Sequence, residues 1–509
     1  MTFSRTASSR LLWFAALGTL CLVLVAPLLV VDVPPLVDYP NHLARIFVLA
    51  SLPDDPVIAR FYAAQWAIIP NLALDLLGPP LLRIMPVHDA GCVLIAAAVL
   101  LPVLGCVAYS AALGGRWWSL GVGLVAYNRT LLEGFLNFNL SVGLALLLAA
   151  AWTHWRGRHS IVMTAVAALG AVALFTCHLM GLVLFAVLLC ADELVRLLAG
   201  RLVLRPRAAA PARLALVFTA PVVLYALSPL QQLGGDAVYL SPFSKLSQLL
   251  AAYTNYVWLL DLLTALAALG TPCICLLVRR GRLPPQAAMA AVLLLGAYLM
   301  TPYAWKGTQQ IDTRFAIMLG VLLFAGFQPQ RWPRWFSRTA AAVIVLLFVI
   351  RMTALTSAFA EHRRDLADLR AALHPVQPGQ AVYVVLARPD DAQRYNAAAP
   401  LSRWLSDGIF TGTHLGALAL IERHAWWPFE FDNASQQPIR TLEPYETMAL
   451  RIGDLPDQDT LARADLCGFD VVLVLQADAT APLPDRRFRR LAGQRFAQSY
   501  AINDCRPGG

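Results

Sequence analysis

Asp38, His42 and Arg45 lie within one short polar stretch that directly follows the first long apolar run of the chain. Ionisable side chains at a membrane edge are costly, so they are candidates for function. A carboxylate there can take the proton of an incoming hydroxyl group as a general base. We therefore expect Asp38 to be catalytic, with His42 binding a substrate or lipid phosphate and Arg45 in support. Simpler interpretations are a capping or loop role for Asp38, a helix-surface position for His42, and an Arg45 side chain that extends to lipid head groups.

A second set of polar residues falls at the outward ends of later apolar runs. Chemistry that removes a group from a lipid phosphate needs cations to hold the departing phosphate, which arginine and lysine can supply. Histidine could act as a base or orient a phosphate oxygen. The predicted phosphate ligands of this set are Arg129, His178, Lys306 and Arg314, with Asn128, Glu133 and Asp312 in support.

The two acids of this second set have simpler interpretations. Glu133 could pair with Arg129 and close a tight loop, and Asp312 could do no more than orient Arg314. One or two acids give no coordination set, so a divalent metal is possible but no metal ligands are predicted.

The composition is that of an integral membrane protein. Of 509 residues 58% are hydrophobic and 14% charged, and the mean hydropathy is +0.60, more apolar surface than one soluble core can bury. The net charge of +9 comes from short basic clusters between apolar runs, a pattern that sets membrane orientation. We therefore expect no nucleic-acid partner.

Apolar runs long enough to cross a bilayer, with every second loop basic, predict about eleven transmembrane helices. An odd number of spans from a cytoplasmic N-terminus places the C-terminus outside. The third span is short and could be part of a broken helix. The predicted spans are 11–32, 90–113, 117–131, 134–153, 160–176, 179–199, 213–229, 257–279, 285–303, 314–329 and 335–357.

Two long outward loops, 33–89 and 230–256, complete the predicted membrane domain 1–358. In the first loop, Pro40 and the apolar residues after it predict an amphipathic helix lying on the membrane. A second such segment over 72–85 is expected to be broken at Gly78 and the two prolines that follow it.

Residues 359–509 are predicted to form a soluble α/β domain outside the membrane. Charges return in this region, and the apolar runs 381–386 and 470–475 have the length and β-branched content of strands. A helix over 358–373 precedes them. Cys467 and Cys505 could form a disulfide there, whereas most other cysteines lie in apolar runs and are interpreted as small apolar residues.

The chain resembles the GT-C glycosyltransferases, a polytopic superfamily that uses sugars carried on polyprenyl phosphates. The resemblance rests on Asp38 at the head of a long first outward loop, on the many spans and on the appended α/β domain. It implies a role for Asp38 as catalytic base. Many members carry paired acids in this loop, whereas here Tyr39 and Pro40 follow Asp38. Residues 302–307 and 312–315 loosely resemble the late loop that holds the carrier phosphate.

The resemblance implies an α-helical polytopic membrane protein with a C-terminal soluble α/β domain. The implied activity is inverting transfer of a sugar from a polyprenyl-phosphate carrier to a lipid, glycan or protein at the periplasmic face of a bacterial inner membrane. Membrane lipid and the lipid-linked donor are the expected partners, and no cofactor is specified. The alternatives are a flippase for a lipid-linked substrate and a non-catalytic envelope assembly protein.

Overall fold

The computed structural model describes residues 2–199, 204–387, 400–479, 483 and 486–506. The chain divides into two compact units. The first comprises Met1–Leu29, Ile68–Ala73 and Leu94–Leu355, and the second comprises Val30–Ala67, Leu74–Val93 and Thr356–Gly509. Most of the first outward loop therefore belongs to the same unit as the C-terminal residues.

Helices dominate the described residues. In chain order the α-helices are α1 (Thr2–Val25), α2 (Tyr39–Ser51), α3 (Ile58–Phe61), α4 (Ala73–Leu82), α5 (Val87–Ala112), α6 (Arg129–Leu132), α7 (Leu136–Trp155), α8 (Ser160–Cys177), α9 (Leu179–Leu198), α10 (Leu204–Leu227), α11 (Pro242–Gln248), α12 (Trp258–Leu277), α13 (Pro285–Met300), α14 (Ile311–Gly326), α15 (Arg334–Leu373), α16 (Leu418–Arg423) and α17 (Tyr445–Ile452).

Six helical segments within the described residues are long and apolar enough to cross a membrane. The predicted polytopic helical fold is thus confirmed, while the count of about eleven spans stays a prediction. The predicted third span is wrong as a single helix, because it consists of the 3-10 helix Trp118–Val125 and the short α6. The six segments are Arg10–Leu29, Val87–Ala112, Leu136–Trp155, Ser160–Cys177, Trp258–Leu277 and Arg334–Leu373.

Close backbone contact between α5 and α7 depends on two glycines. A Cβ atom on Gly143 would lie 2.3 Å from the backbone carbon of Leu101, and one on Gly105 would lie 2.5 Å from the carbonyl oxygen of Gly143. Small residues allow apolar helices to approach this closely inside a membrane, where burial of apolar surface drives association only weakly. The glycines therefore fix how these two helices pack.

A four-stranded sheet forms the centre of the second unit, in the order β4, β6, β8, β7. β4 and β6 are parallel, and the other neighbours are antiparallel. The strands of the chain are β1 (Tyr62–Ala64), β2 (Gly281–Arg282), β3 (Gln328–Pro329), β4 (Val382–Leu386), β5 (Ile439–Thr441), β6 (Val471–Leu475), β7 (Phe488–Gly493) and β8 (Ala497–Ile502).

The two strands predicted from sequence are present as β4 and β6. Every residue of both is buried, which explains why they are continuous apolar runs without alternation. Cys467 and Cys505, the pair singled out in the sequence, are joined by a disulfide. The predicted helix over 358–373 is the last part of α15, which is continuous with the predicted last span.

Two expectations for the first outward loop are wrong. The helix that starts near Pro40 exists as α2, but it does not lie on a surface, because its first eight residues are all buried, polar ones included. α4 continues through Pro79 and Pro80 without a break. The prolines lie in the last turn, so few helical hydrogen bonds are lost.

We expect Gly143→Ala to lower the thermal unfolding temperature of the detergent-solubilised protein, because its new methyl group meets backbone atoms that cannot move aside. Gly296→Ala in α13 is the matched control, since a Cβ atom there meets nothing within 4 Å. Alanine stabilises a helix relative to glycine by about 1 kcal/mol. The control should therefore unfold at the same temperature as the wild-type protein or at a higher one. Equal unfolding temperatures for both variants would contradict this packing.

Candidate functional site

Asp38 lies at the N-terminus of α2, where Pro40 is well suited to the first helical turn. Asp38 holds the N-cap position, yet its side chain makes no capping hydrogen bond. Its Oδ1 atom instead lies 3.3 Å from Nε2 of His414, and 21% of the side chain is exposed. The capping interpretation of Asp38 is therefore wrong, and its carboxylate is accessible for another role.

Asn41, in the first turn of α2, connects His414, the partner of Asp38, to the interior of the second unit. Its Nδ2 donates a hydrogen bond of 2.7 Å to the carbonyl oxygen of Phe429 and lies 3.1 Å from Nδ1 of His414. Its Oδ1 accepts a hydrogen bond of 2.8 Å from Nε1 of Trp427. Both Asn41 and Trp427 are fully buried, so these hydrogen bonds are shielded from water.

His42 is buried against the Phe431 ring, with ring centroids 5.5 Å apart. The same phenylalanine packs against His414 at 5.1 Å. Burial, with smaller effects of Arg45 and His414, holds the pKa of His42 well below its usual range. His42 is therefore a neutral interior side chain, and the helix-surface interpretation is wrong.

Arg45 forms a buried ion pair with Asp75 of α4. Its Nε donates to Oδ1 at 2.6 Å and its Nη2 donates to Oδ2 at 3.1 Å, and neither side chain is more than 1% exposed. A guanidinium that is buried away from water requires a bidentate carboxylate partner of this kind. The interpretation of Arg45 as a residue that extends to lipid head groups is therefore wrong.

Glu430 is a further acid in this interior, and sequence analysis missed it. Its Oε1 accepts a hydrogen bond of 3.1 Å from the backbone N–H of Phe431, while its buried Oε2 has no hydrogen-bond partner among the described residues. Burial raises the pKa of Glu430 well above its usual range, against the opposing effect of Arg45. Burial therefore favours the protonated, neutral form of the Glu430 carboxyl group.

In the first unit, Arg129 and Glu133 belong to a network of polar side chains. The Nε of Arg129 donates to Oε1 of Glu133 at 2.9 Å, and Nη1 donates to Oε1 of Gln248 at 2.8 Å. The same Gln248 atom accepts a hydrogen bond of 3.1 Å from the Thr313 hydroxyl, and Gln310 donates to Glu133 at 3.1 Å. α6, α11 and the start of α14 thus meet around the Arg129 guanidinium.

Asn128 supports this network from the N-cap of α6. Its Oδ1 accepts hydrogen bonds from the backbone N–H of Leu131 at 3.2 Å and from the Thr130 hydroxyl at 2.6 Å. Such a cap satisfies a helix N–H that would otherwise lack a partner. Gly134, with φ of 91°, then allows the sharp turn into α7.

Asp312 pairs with Lys245, 3.5 Å away, and its Oδ1 accepts from the backbone N–H of Thr313. The suggested pairing of Asp312 with Arg314 is not the one formed. Arg314 is nearly buried and its guanidinium lies 5.1 Å from the centre of the Phe135 ring. Lys306 donates to the carbonyl oxygen of Gln231 at 3.2 Å and lies over its neighbouring tryptophan.

His178 stands between α8 and α9. Its Nδ1 accepts a hydrogen bond of 3.1 Å from the backbone N–H of Met180, and its ring packs against Phe138 at 5.6 Å. Because Nδ1 accepts, the neutral ring carries its proton on Nε2. His178 is therefore suited to donating to a phosphate oxygen rather than to acting as a base.

The partners that sequence analysis missed come from distant parts of the chain. Asn41 and His414 are 373 residues apart, and Arg129 and Gln248 are 119 apart. No spacing rule relates such residues. Among the described residues, no group of three or more histidine, cysteine, aspartate or glutamate side chains could hold a metal ion.

The fold is similar over the whole chain to that of ArnT from Cupriavidus metallidurans. The apo crystal structure matches with a TM-score of 0.53 and 12% identity, covering 97% of this chain and 98% of ArnT. The structure bound to undecaprenyl phosphate matches with a TM-score of 0.50 and 12% identity, covering 98% and 99%. No family model and no curated sequence matches. The likeness shows that this chain shares the fold of ArnT over nearly its full length.

We expect Glu430→Gln to reduce the loss of thermal stability that accompanies a rise of pH above the usual glutamate pKa. An acid whose folded pKa is raised binds its proton more tightly when folded, so stability falls as pH rises above the unfolded pKa. Glutamine cannot ionise and removes this contribution. Unfolding temperature as a function of pH measures the effect, with Glu446→Gln as a control on α17. Parallel curves of unfolding temperature against pH for Glu430→Gln and wild type would contradict a raised pKa of Glu430.

Proposed function

We propose that the protein is a membrane glycosyltransferase that transfers a sugar from a polyprenyl-phosphate carrier to an acceptor hydroxyl group. The observation that carries this proposal is the fold, which matches over its full length that of ArnT, a protein crystallised with undecaprenyl phosphate. The supporting observation is Asp38, a partly exposed carboxylate that is not used for helix capping.

Asp38 is the general base of the proposed reaction. The acceptor oxygen attacks the anomeric carbon of the donor sugar and forms the new glycosidic bond. The bond between that carbon and the carrier phosphate oxygen breaks, and its electron pair leaves with the phosphate. Asp38 takes the proton of the acceptor hydroxyl, which prevents positive charge from building on the attacking oxygen. Attack from the face opposite the phosphate inverts the anomeric centre.

The first unit supplies the groups suited to the carrier phosphate. Arg129 and Arg314 are guanidinium groups with planar donors that match phosphate oxygens. The contacts of Arg129 with Glu133 and Gln248 restrain its side chain before a substrate arrives. The Nε2–H of His178 adds a neutral donor, and Lys306 adds a partly exposed point charge. In this proposal these residues stabilise the charge of the leaving polyprenyl phosphate.

The periplasmic face of a bacterial inner membrane is the proposed location of the reaction. Basic clusters alternate with the outward loops that carry Asp38 and Lys306, and basic residues favour cytoplasmic loops. The acceptor is a lipid, a glycan or a protein that presents a hydroxyl group on that face, and the C-terminal residues from 359 onward belong to the same side.

Asp38→Asn should abolish transfer, because an amide cannot take the proton of the acceptor. We would compare extracted lipids and envelope glycans by mass spectrometry in cells with the wild-type protein, without it, or with Asp38→Asn at matched expression. Asp54→Asn is the control, since Asp54 is an exposed aspartate of the same unit. Cells without the protein and cells with Asp38→Asn are expected to lack the same glycan, and cells with Asp54→Asn should still contain it.

A different result would identify another class of protein. If deletion alters the glycan profile and Asp38→Asn does not, catalysis by Asp38 is wrong and transport or assembly replaces it. The unfolding temperature of purified Asp38→Asn protein separates loss of chemistry from loss of fold.

Arg129→Gln and Arg314→Gln should each weaken binding of undecaprenyl phosphate to the purified full chain by about tenfold or more, since a charged hydrogen bond contributes about 1.5–3 kcal/mol. Titration of the lipid into detergent-solubilised protein measures the Kd. Arg338→Gln, at an exposed arginine of α15, is the control. An unchanged Kd in both variants would remove these arginines from the phosphate site.

A further inference from the structure

Trp427 determines which way the Asn41 amide faces. The indole Nε1–H can only donate a hydrogen bond, and it lies 2.8 Å from Oδ1 of Asn41. The atom that faces the indole must therefore be the amide oxygen, and the amide nitrogen must face the opposite way. Because both side chains are fully buried, water offers neither of them a substitute partner.

The Asn41 amide in turn determines the tautomer of His414. One N–H of the amide donates to the Phe429 carbonyl oxygen at 2.7 Å, and the other points at Nδ1 of His414, 3.1 Å away. An amide NH2 group can only donate, so Nδ1 must be the accepting, unprotonated nitrogen. The neutral ring then carries its hydrogen on Nε2, the atom that lies 3.3 Å from Oδ1 of Asp38.

We propose that His414 is a positioning residue that donates a hydrogen bond from Nε2 to Asp38, and that Trp427 and Asn41 lock it in this tautomer. The inference rests on the proposed function in one respect, that Asp38 is the base. The hydrogen bond holds Oδ1 and so presents Oδ2 to the acceptor hydroxyl.

The two ring nitrogens of His414 therefore have different roles, because Nδ1 accepts from Asn41 and Nε2 faces Asp38. Phe431, packed at 5.1 Å from the His414 ring, limits rotation of the ring away from Asp38.

The tautomer is measured directly by magic-angle-spinning NMR of the full chain in lipid bilayers, with 15N-labelled histidine. His414 is assigned by the signals that disappear in His414→Gln. We expect wild-type His414 to show a proton on Nε2 and none on Nδ1. In Asn41→Asp the side chain at position 41 has nearly the same shape, and its ionised carboxylate can only accept, so a proton should appear on Nδ1.

Glycan yield tests whether the fixed tautomer of His414 assists the reaction at Asp38. In the cells used for Asp38→Asn, His414→Phe should lower the affected glycan at least tenfold. His414→Gln, which restores an N–H donor of similar reach, should recover part of it. His374→Gln, at an exposed histidine of the same unit, is the control and should leave the yield unchanged.

Two results overturn the proposal. One is a wild-type His414 that carries its proton on Nδ1, or an Asn41→Asp variant with an unaltered ring. The other is an undiminished glycan yield in His414→Phe. If Asp38→Asn itself leaves the glycan intact, the proposed function is wrong. The NMR result does not depend on activity, so the two failures are distinguishable.

Discussion

The ion pair between Arg45 and Asp75 is the interaction on which the interior of the second unit depends. Both side chains are buried, with at most 1% of either exposed. A buried guanidinium or carboxylate that lost its partner would carry an uncompensated charge, at a cost of about 3–5 kcal/mol. The pair therefore fixes α2 against α4. Since Asp38 and Asn41 belong to the beginning of α2, their positions follow from this constraint.

Near that pair, burial disfavours the charged forms of two further side chains. Burial raises the pKa of Glu430 although the Arg45 guanidinium lowers it, and burial also lowers the pKa of His42. Asp38 lies outside this interior, and 21% of its side chain is exposed. In the first unit, Arg129 and Lys245 likewise have acidic partners, Glu133 and Asp312, which restrain their positions.

The sequence predicts the helical membrane fold, the two buried strands and the pairing of Cys467 with Cys505 because these depend on local composition or on a small choice of partners. It also marks Asp38, whose setting after an apolar run is a local feature. It does not predict burial of Arg45, because the compensating Asp75 lies in a different helix. His414 could not be found for the same reason, since no periodicity in the sequence relates it to Asp38.

The connection between β4 and β6 has a consequence for biosynthesis. These strands are parallel neighbours, so the chain between them must cross from one end of the sheet to the other, and that crossover contains His414, Trp427 and Phe429. Asn41 is made early, whereas its partners follow 373 to 388 residues later. In a nascent chain, the Asn41 amide therefore lacks these partners until the crossover has been translated. A chain without this crossover would lack the contact of 3.3 Å between Asp38 and His414.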